Sequence, residues 1–226
     1  MIAPGHKVTI VLPTRNEGGG VARVIEQVRP WGDEILVVDG HSTDDTRQIA
    51  EAAGARVVLD GGRGKGDGVR TALREASHPV VCFFDADGSH EPADIPNVLA
   101  PLSLGLADLV ITSRATGGSD EFRMDIEHSW RQMGSAFATW MVNVRWGVKL
   151  TDILNGFRAG FRDKLLDLHL NSTHFDVETE MVMKALKKGL RVVEVPSHEY
   201  ERAWGKSKLA TSSSWRFLLR LARDIV

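Results

Sequence analysis

The first half of the chain alternates short apolar runs with segments in which apolar residues recur every three or four positions. Continuous or alternating apolar runs predict β-strands, and the three-to-four spacing predicts amphipathic helices. The predicted strands are Lys7–Leu12, Glu34–Asp39, Arg56–Leu59, Val80–Phe84 and Leu109–Thr112; the helices are Gly18–Val28, Ser42–Ala53, Val69–Ala76 and Pro92–Leu104. This strand–helix alternation predicts an α/β fold with a mostly parallel central sheet flanked by helices.

The second half is predicted to be mainly helical. Asp125–Val144 forms one long helix, with apolar residues at helical spacing at Ile126, Trp130, Met133, Phe137, Trp140, Met141 and Val144. We expect Trp130, Trp140 and Met141 to pack in the core, as an aromatic stripe on a helix usually does. The remaining predicted elements are a helix His174–Lys188, a strand Arg191–Val195 and a C-terminal amphipathic helix Trp215–Ile225. No composition break divides the chain, so residues 1–226 are predicted to form a single domain.

Composition and charge exclude several classes of protein. With 226 residues, a net charge of −2 and 42% hydrophobic residues, the chain is neither a polycation for nucleic acid nor an acidic disordered chain. Its one cysteine, Cys82, excludes an intrachain disulfide framework. No apolar run approaches the roughly 20 residues that span a bilayer. Residues 1–7 lack the apolar stretch of a signal peptide, so we expect a cytoplasmic protein.

Polar clusters follow four of the predicted strands. In parallel α/β sheets, ligands bind outside the carboxyl ends of the strands, where such clusters converge. The clusters are Pro13–Glu17, Asp39–His41, Asp85–Asp87 and Ser113–Arg114. We therefore expect one ligand site at this edge of the sheet.

Asp85 and Asp87 are the strongest candidates for a metal site. In extended backbone, residues two apart lie on the same side, and paired carboxylates suit a hard divalent cation such as Mg²⁺ or Mn²⁺. The spacing alone is weak, because a strand-end turn capped by aspartate would look the same. Its position directly after the apolar run Val80–Phe84 favours the metal site.

An ordered series of motifs resembles the GT-A glycosyltransferases of family 2, and within them the dolichol- or polyprenyl-phosphate mannosyltransferases. The series runs from about residue 8 to residue 208, and each motif is weak by itself. The matching segments are Val11–Glu17, Val37–Thr46, Gly64–Gly66, Asp85–Pro92, Ser113-Arg114, Asp152, Gly156–Arg158, and Arg202 with Gly205–Lys208. The resemblance implies a GT-A fold, with residues 1–113 as the nucleotide-sugar half, 114–208 as the acceptor half and basic loop, and 209–226 as the C-terminal helix.

The resemblance also implies roles in donor binding. The residues matching the base and ribose pocket are Pro13, Arg15, Glu17, Val37 and Asp39. Those matching the metal and diphosphate site are Asp85, Ala86 and Asp87, with Lys65, Arg202, Lys206 and Lys208 closing over the diphosphate. Cations there stabilise a leaving nucleoside diphosphate. Composition alone favours a solvated basic loop for Arg202–Lys208.

An acceptor phosphate is implied to contact Arg114, Arg131 and Ser135. Arg131 and Ser135 are four residues apart and share a helix face, and an arginine pair suits a phosphate. The alternative is that Arg131 only solvates its helix. Two positions depart from the family pattern: Gly88 and Ser89 stand where leucine and glutamine are common, which leaves the third metal ligand open. A further departure is Gly40, where a second acidic residue is frequent.

The predicted reaction is inverting transfer of a hexose from a nucleotide sugar, GDP-mannose first and UDP-glucose next, to a polyprenyl or dolichyl phosphate. The alternative is a soluble enzyme acting on a hydroxyl group, which needs a carboxylate base. Asp152 is the first candidate base, followed by Glu178 and Glu180, which equally suit helix capping or solvation. A nucleotidylyltransferase is disfavoured because Pro13–Glu17 is not a glycine-rich phosphate loop, and the metal pair argues against a non-catalytic binder.

The tail combines aromatic and basic residues. Trp204 and Trp215 lie near Arg216, Arg220 and Arg223. An apolar face beside basic side chains can rest on an anionic membrane surface. Docking of the last helix on the domain or on a second subunit, giving a homodimer, is the competing hypothesis.

Overall fold

The computed structural model describes residues 6–120 and 126–204, with the backbone alone over 126–132. Within these ranges, one sheet has the strand order β3-β2-β1-β4-β6-β5-β7. Its strands are β1 (Val8–Thr14), β2 (Glu34–Asp39), β3 (Arg56–Leu59), β4 (Val80–Phe83), β5 (Leu109–Ser113), β6 (Arg158–Phe161) and β7 (Val192–Pro196). All neighbouring strands pair in parallel except β6, which is antiparallel to both β4 and β5.

Helices cover both faces of the sheet. They are α1 (Val21–Val28), α2 (Thr46–Ala52), α3 (Lys65–Glu75), α4 (Ile95–Ser103), α5 (Arg114–Gly117), α6 (Ile126–Trp146), α7 (Arg162–Asp167) and α8 (Val177–Lys187). Ile10 and Leu12 of β1 point to a core shared with α1, α2 and α4, whereas Val11 points to a core shared with α3, α6, α7 and α8. The two-residue alternation of the strand produces these two layers.

The predicted α/β fold with a mostly parallel sheet and a single domain is confirmed, but β6 was missed. Its sequence is Arg-Ala-Gly-Phe, and Arg158 is fully buried. A charged residue inside a short run hides the apolar pattern that marks a buried strand. The predicted C-terminal helix Trp215–Ile225 lies outside the described residues.

The apolar stripe of α6 faces outward, so the prediction that Trp140 packs in the core is wrong. Met133, Phe137, Trp140 and Val144 are 50–66% exposed, and the Phe137 and Trp140 rings stack with centroids 5.9 Å apart. The buried side of the helix instead carries Ala138 and Val142, with Met141 half-buried. Small residues let α6 lie close to its neighbours and leave its large ones uncovered. Trp130 lies outside the described side chains.

Strand order places the candidate site at the β1–β4 junction. The chain winds from β1 outward to β2 and β3, then returns to β4 on the other side of β1. A crevice forms at such a reversal, outside the carboxyl ends of the strands. Pro13 is the last residue but one of β1, and Asp85 follows β4 at this edge. Over the described ranges, no helix has both the length and the apolar character that crossing a bilayer requires.

Candidate active site

The two candidate metal aspartates follow β4 and differ in their surroundings. Asp85 is partly open, with 27% of its side chain exposed, whereas 7% of the Asp87 side chain is exposed. Pro13, Lys65, Asp85, Gly156 and Glu178 line one small cleft. A side chain at Gly156 would place its Cβ 2.5 Å from Asp85 Oδ2, so glycine keeps this part of the cleft clear.

Lys65, the first residue of α3, bridges two carboxylates in the cleft. Its Nζ lies 3.2 Å from Asp85 Oδ1 and 2.9 Å from Glu178 Oε1. Burial lowers the pKa of Lys65, but the charges of Asp85 and Glu178 outweigh burial and raise it above its usual value. For Asp85, burial raises the pKa, and Lys65 followed by His90 outweigh burial and lower it. Both groups are therefore charged at neutral pH.

Arg158 supports the cleft from below. Its guanidinium is fully buried and donates to the carbonyl oxygens of Asn155, Ile153 and Glu178, the last at 2.8 Å. Burial lowers its pKa, while Glu178 and Asp152 act in the opposite direction. The arginine thus ties the 153–155 loop to the start of α8, which carries Glu178 into the cleft.

His90 is a site residue that the sequence motif contained without a role. Its side chain is 1% exposed, and Nε2 lies 3.4 Å from Asp85 Oδ2. Its ring packs edge-on against Phe84 and at a tilt against Phe157. Since Lys65 faces Oδ1 and His90 faces Oδ2, the two residues together fix the orientation of the Asp85 carboxylate.

Asp87 is held by a different set of groups. The backbone N–H and the hydroxyl of Ser89 donate to Oδ1 at 3.0 and 2.6 Å. Arg202 Nη1 lies 2.8 Å from Oδ2. Ser89, which stands where glutamine is common in the family pattern, therefore orients Asp87.

The donor set fits a divalent cation that is completed by a ligand. Asp85 and Asp87 supply carboxylate oxygens, the ligands that Mg²⁺ and Mn²⁺ accept. Among the described residues, no group of three or more His, Cys, Asp or Glu side chains could hold a metal. Two carboxylates suit a cation that keeps water ligands and bridges to phosphate oxygens, as Mg²⁺ does. The cationic Lys65 and Arg202 beside these carboxylates show that the corner accommodates positive charge.

The residues predicted to bind the base and ribose differ in exposure: some are accessible and others are buried. Pro13 lines the cleft, and Arg15 is exposed. Glu17 is buried, and its backbone N–H donates to Thr46 Oγ1 at 2.9 Å. Asp39 is fully buried and accepts hydrogen bonds from the Ser42 backbone and hydroxyl and from Thr14. It therefore holds the loop after β2, and ligand binding by these residues stays a prediction.

Val37 is placed differently from the prediction. The sequence motif put it in the base pocket, but its side chain is fully buried in the core beside α1 and α2. It precedes the end of β2 by two residues, so the sheet covers it. The side chain contributes to packing and does not line the open cleft.

Arg114 and Asp152, predicted as acceptor ligand and catalytic base, form an ion pair. Arg114 Nε and Nη2 lie 2.6 and 3.1 Å from the two Asp152 oxygens, and Nη1 lies 3.1 Å from Glu199 Oε2. Burial lowers the pKa of Arg114, but Asp152 and then Glu199 outweigh burial and raise it. Asp152 can accept a proton only after this bidentate pair opens.

The remaining predicted residues are separated by the structure. Glu180 is fully buried, accepts from the backbone N–H groups of Asn171 and Ser172 and pairs with Lys184, so it anchors a loop. Ser135 is half-buried on α6. The side chain of Arg131, and Lys206 and Lys208 altogether, lie outside the described residues. Ala86 is buried, and its carbonyl accepts from Trp204 Nε1 at 3.0 Å.

Comparison with known proteins assigns a family. The model of glycosyl transferase family 2 matches residues 9–168. Glycosyltransferase AglJ of Haloferax volcanii is 38% identical over 200 residues, 88% of this chain and 64% of AglJ, so the chain spans about two thirds of that protein. An undecaprenyl-phosphate mannosyltransferase of Micrococcus luteus is 32% identical over 220 residues, covering 90% of this chain and 88% of that protein.

Solved structures share the fold. Glucosyl-3-phosphoglycerate synthase from Mycobacterium tuberculosis, in complex with Mn²⁺, UDP-glucose and phosphoglyceric acid, superposes with a TM-score of 0.76 at 25% identity. The match covers 98% of this chain and 80% of that one. The expected GT-A architecture is confirmed by this likeness.

Proposed function

The chain belongs to glycosyl transferase family 2, and from this membership we propose that it moves a hexose from a nucleotide sugar to a polyprenyl phosphate, with inversion. GDP-mannose is the first candidate donor, because the Micrococcus luteus relative is named an undecaprenyl-phosphate mannosyltransferase. UDP-glucose is the second, because the synthase of similar fold binds it.

The donor half of the proposal depends on charge. Asp85 and Asp87 would hold a divalent cation, which when bound neutralises charge on the leaving diphosphate. Lys65 and Arg202 stand beside these carboxylates and can turn to phosphate oxygens. Cations that meet more negative charge in the transition state than in the ground state lower the barrier.

The ion pair between Asp152 and Arg114 is the observation from which we choose between a hydroxyl acceptor and a phosphate acceptor. A hydroxyl acceptor must lose a proton to a base, whereas a phosphate acceptor is already anionic at neutral pH. Both oxygens of Asp152 face Arg114, and Glu178 faces Lys65. A base must also come within hydrogen-bond reach of the acceptor hydroxyl. With these carboxylate oxygens turned to Arg114 and Lys65, the arrangement favours an acceptor that needs no base.

Arg114 can contact an acceptor phosphate but cannot neutralise it alone. A guanidinium has five N–H donors, and Asp152 and Glu199 occupy three of those of Arg114. Two carboxylates already balance its charge, so a phosphate there requires a further cation. Arg131, on the same helix face as Ser135, is the residue we propose for this role.

The outward stripe of α6 supports an acceptor with an apolar tail. Met133, Phe137, Trp140 and Val144 form an exposed apolar surface, and Arg145 and Lys149 are exposed near its end. Ser135 lies on the opposite side of the same helix. An apolar stripe flanked by basic residues suits the interface of a membrane that holds a lipid acceptor. We propose peripheral membrane contact through this stripe.

One screen tests donor and acceptor together. Thermal shift with GDP-mannose, UDP-glucose and dTDP-glucose, each with and without Mn²⁺, identifies the donor, because ligand binding stabilises the folded state by mass action. Transfer of radiolabelled sugar is then measured with undecaprenyl phosphate, dolichyl phosphate, 3-phosphoglycerate and a simple glycoside. Transfer to one or both polyprenyl phosphates, and to neither of the other two acceptors, supports the proposal. Transfer only to the glycoside or to 3-phosphoglycerate overturns it.

A further inference from the structure

Trp204 sits in a slot built by two glycines at the rim of the cleft. A Cβ at Gly20, the residue before α1, would overlap the indole, and a Cβ at Gly88 would lie 2.8 Å from Trp204 Cη2. Gly88 also has φ +77°, a backbone conformation that favours glycine. The indole Nε1–H donates to Ala86 O at 3.0 Å. The slot therefore accepts a large ring only because two side chains are absent.

The segment that ends in Trp204 is tied to the loop that carries Asp87. We name residues 197–204 the strap. Tyr200 N–H donates to Ser89 O at 2.8 Å, and Ala203 N–H donates to Asp87 O at 3.1 Å. Ser197 Oγ donates to Asp94 Oδ2 at 2.8 Å. These contacts, together with the indole, fix the backbone on both sides of Arg202.

From this arrangement we propose that Trp204 is a positioning residue for Arg202. An arginine side chain has many rotamers, and ordering it at the moment of binding costs free energy. A strap already anchored by Trp204 holds Arg202 Nη1 2.8 Å from Asp87 Oδ2, where the donor diphosphate would meet the metal corner. This inference rests on the proposed donor site.

The slot also explains a departure from the family pattern. Gly88 stands where leucine is common, and the Trp204 indole fills the space beside its Cα. Leucine at position 88 would meet both the indole and Ala203 Cβ, which lies 3.0 Å from the position of a Cβ. Gly88 and Trp204 therefore belong to one packing arrangement.

Binding of diphosphates and monophosphates separates positioning from general damage. We measure affinity for GDP and UDP with Mn²⁺ by calorimetry, with GMP and UMP as probes that lack the second phosphate. Trp204→Ala should weaken diphosphate binding about tenfold, the size of one charge-assisted hydrogen bond, and leave monophosphate binding unchanged. Trp204→Phe, which keeps a ring over both glycines, should lose less than Trp204→Ala. Trp31→Ala, at a half-buried tryptophan in the turn Arg29–Trp31, is the matched control and should leave both the diphosphate and the monophosphate affinities unchanged.

A double-mutant cycle tests the slot without using nucleotide. Gly20→Ala should lower the Tm of the parent chain because its methyl group meets the indole. In a Trp204→Ala background the same substitution should cost nothing further, so the two effects are non-additive. Additive effects, or diphosphate binding by Trp204→Ala equal to that of the parent, would overturn the inference. If the parent chain binds neither GDP nor UDP, the proposed donor site is wrong. The Tm cycle still tests whether Trp204 packs against Gly20.

Discussion

Arg202 and Asp87 form an ion pair, with Nη1 2.8 Å from Oδ2, at the corner where a divalent cation is proposed to bind. The remaining oxygen of Asp87 accepts from Ser89. A cation arriving alone must therefore compete with the guanidinium. When the cation binds together with a diphosphate, the phosphate oxygens can accept hydrogen bonds from Arg202 in place of Asp87.

Arg202→Gln should consequently have opposite effects on two affinities. Binding of Mn²⁺ alone should tighten, because its competitor is gone, and binding of Mn²⁺ with GDP or UDP should weaken about tenfold or more. Electron paramagnetic resonance of free Mn²⁺ measures the first affinity and calorimetry the second. Arg29→Gln, at an exposed residue directly after the end of α1, is the control. Parallel changes in both affinities would argue against competition at Asp87.

Asp87→Asn is the matched test of the metal site itself. The amide keeps the shape of the buried side chain, so we expect the fold to persist, while a neutral oxygen binds a hard cation poorly. The part of the donor-induced thermal shift that depends on Mn²⁺ should disappear. The exposed Asp163→Asn serves as control. A shift of unchanged size in Asp87→Asn would place the cation elsewhere.

The position of the two aspartates Asp85 and Asp87 could be predicted from sequence, but the residues that contact them could not. Asp85 and Asp87 follow a continuous apolar run that predicts a buried strand, and strand ends converge in such folds. Lys65 and Glu178 meet through the packing of α3 beside α8, a tertiary contact that no local pattern records. Likewise, periodicity showed that α6 has an apolar face but not whether another element covers it.

His90 should act through hydrogen bonding to Asp85 more than through packing. His90→Leu keeps an apolar side chain between Phe84 and Phe157 but has no N–H, so Mn²⁺–diphosphate affinity should fall about tenfold. His90→Gln places an amide N–H near the position of Nε2 and should restore most of the affinity. Calorimetry with Tm as a control for folding measures both. Equal losses in the two variants would indicate a packing role only.

Lys65 should contribute both to stability and to donor binding, and the two can be separated. Lys65→Met leaves Glu178, 6% exposed, and Asp85 without their shared cation, and losing one partner of a buried pair should cost about 3 kcal/mol. Adding Glu178→Gln removes the stranded charge and should recover much of the free energy of unfolding. Donor affinity should stay low in the double variant. Recovery of donor binding together with stability would contradict a role for Lys65 at the diphosphate.

Asp152→Asn distinguishes the two acceptor classes. If Asp152 is a general base for a hydroxyl, kcat should fall by a factor of about 10² to 10⁴, and KM for the acceptor should change little. If the acceptor is a phosphate, Asp152 only holds Arg114 through its bidentate contact. The asparagine then loosens Arg114, so KM for the polyprenyl phosphate should change more than kcat.

Since Glu199 also pairs with Arg114, Glu199→Gln should relieve one negative charge and lower the KM for the polyprenyl phosphate. Steady-state kinetics of transfer with each acceptor, at saturating donor, gives both constants. A loss confined to kcat in Asp152→Asn would reject the phosphate acceptor, because an anionic nucleophile has no proton for this carboxylate to remove.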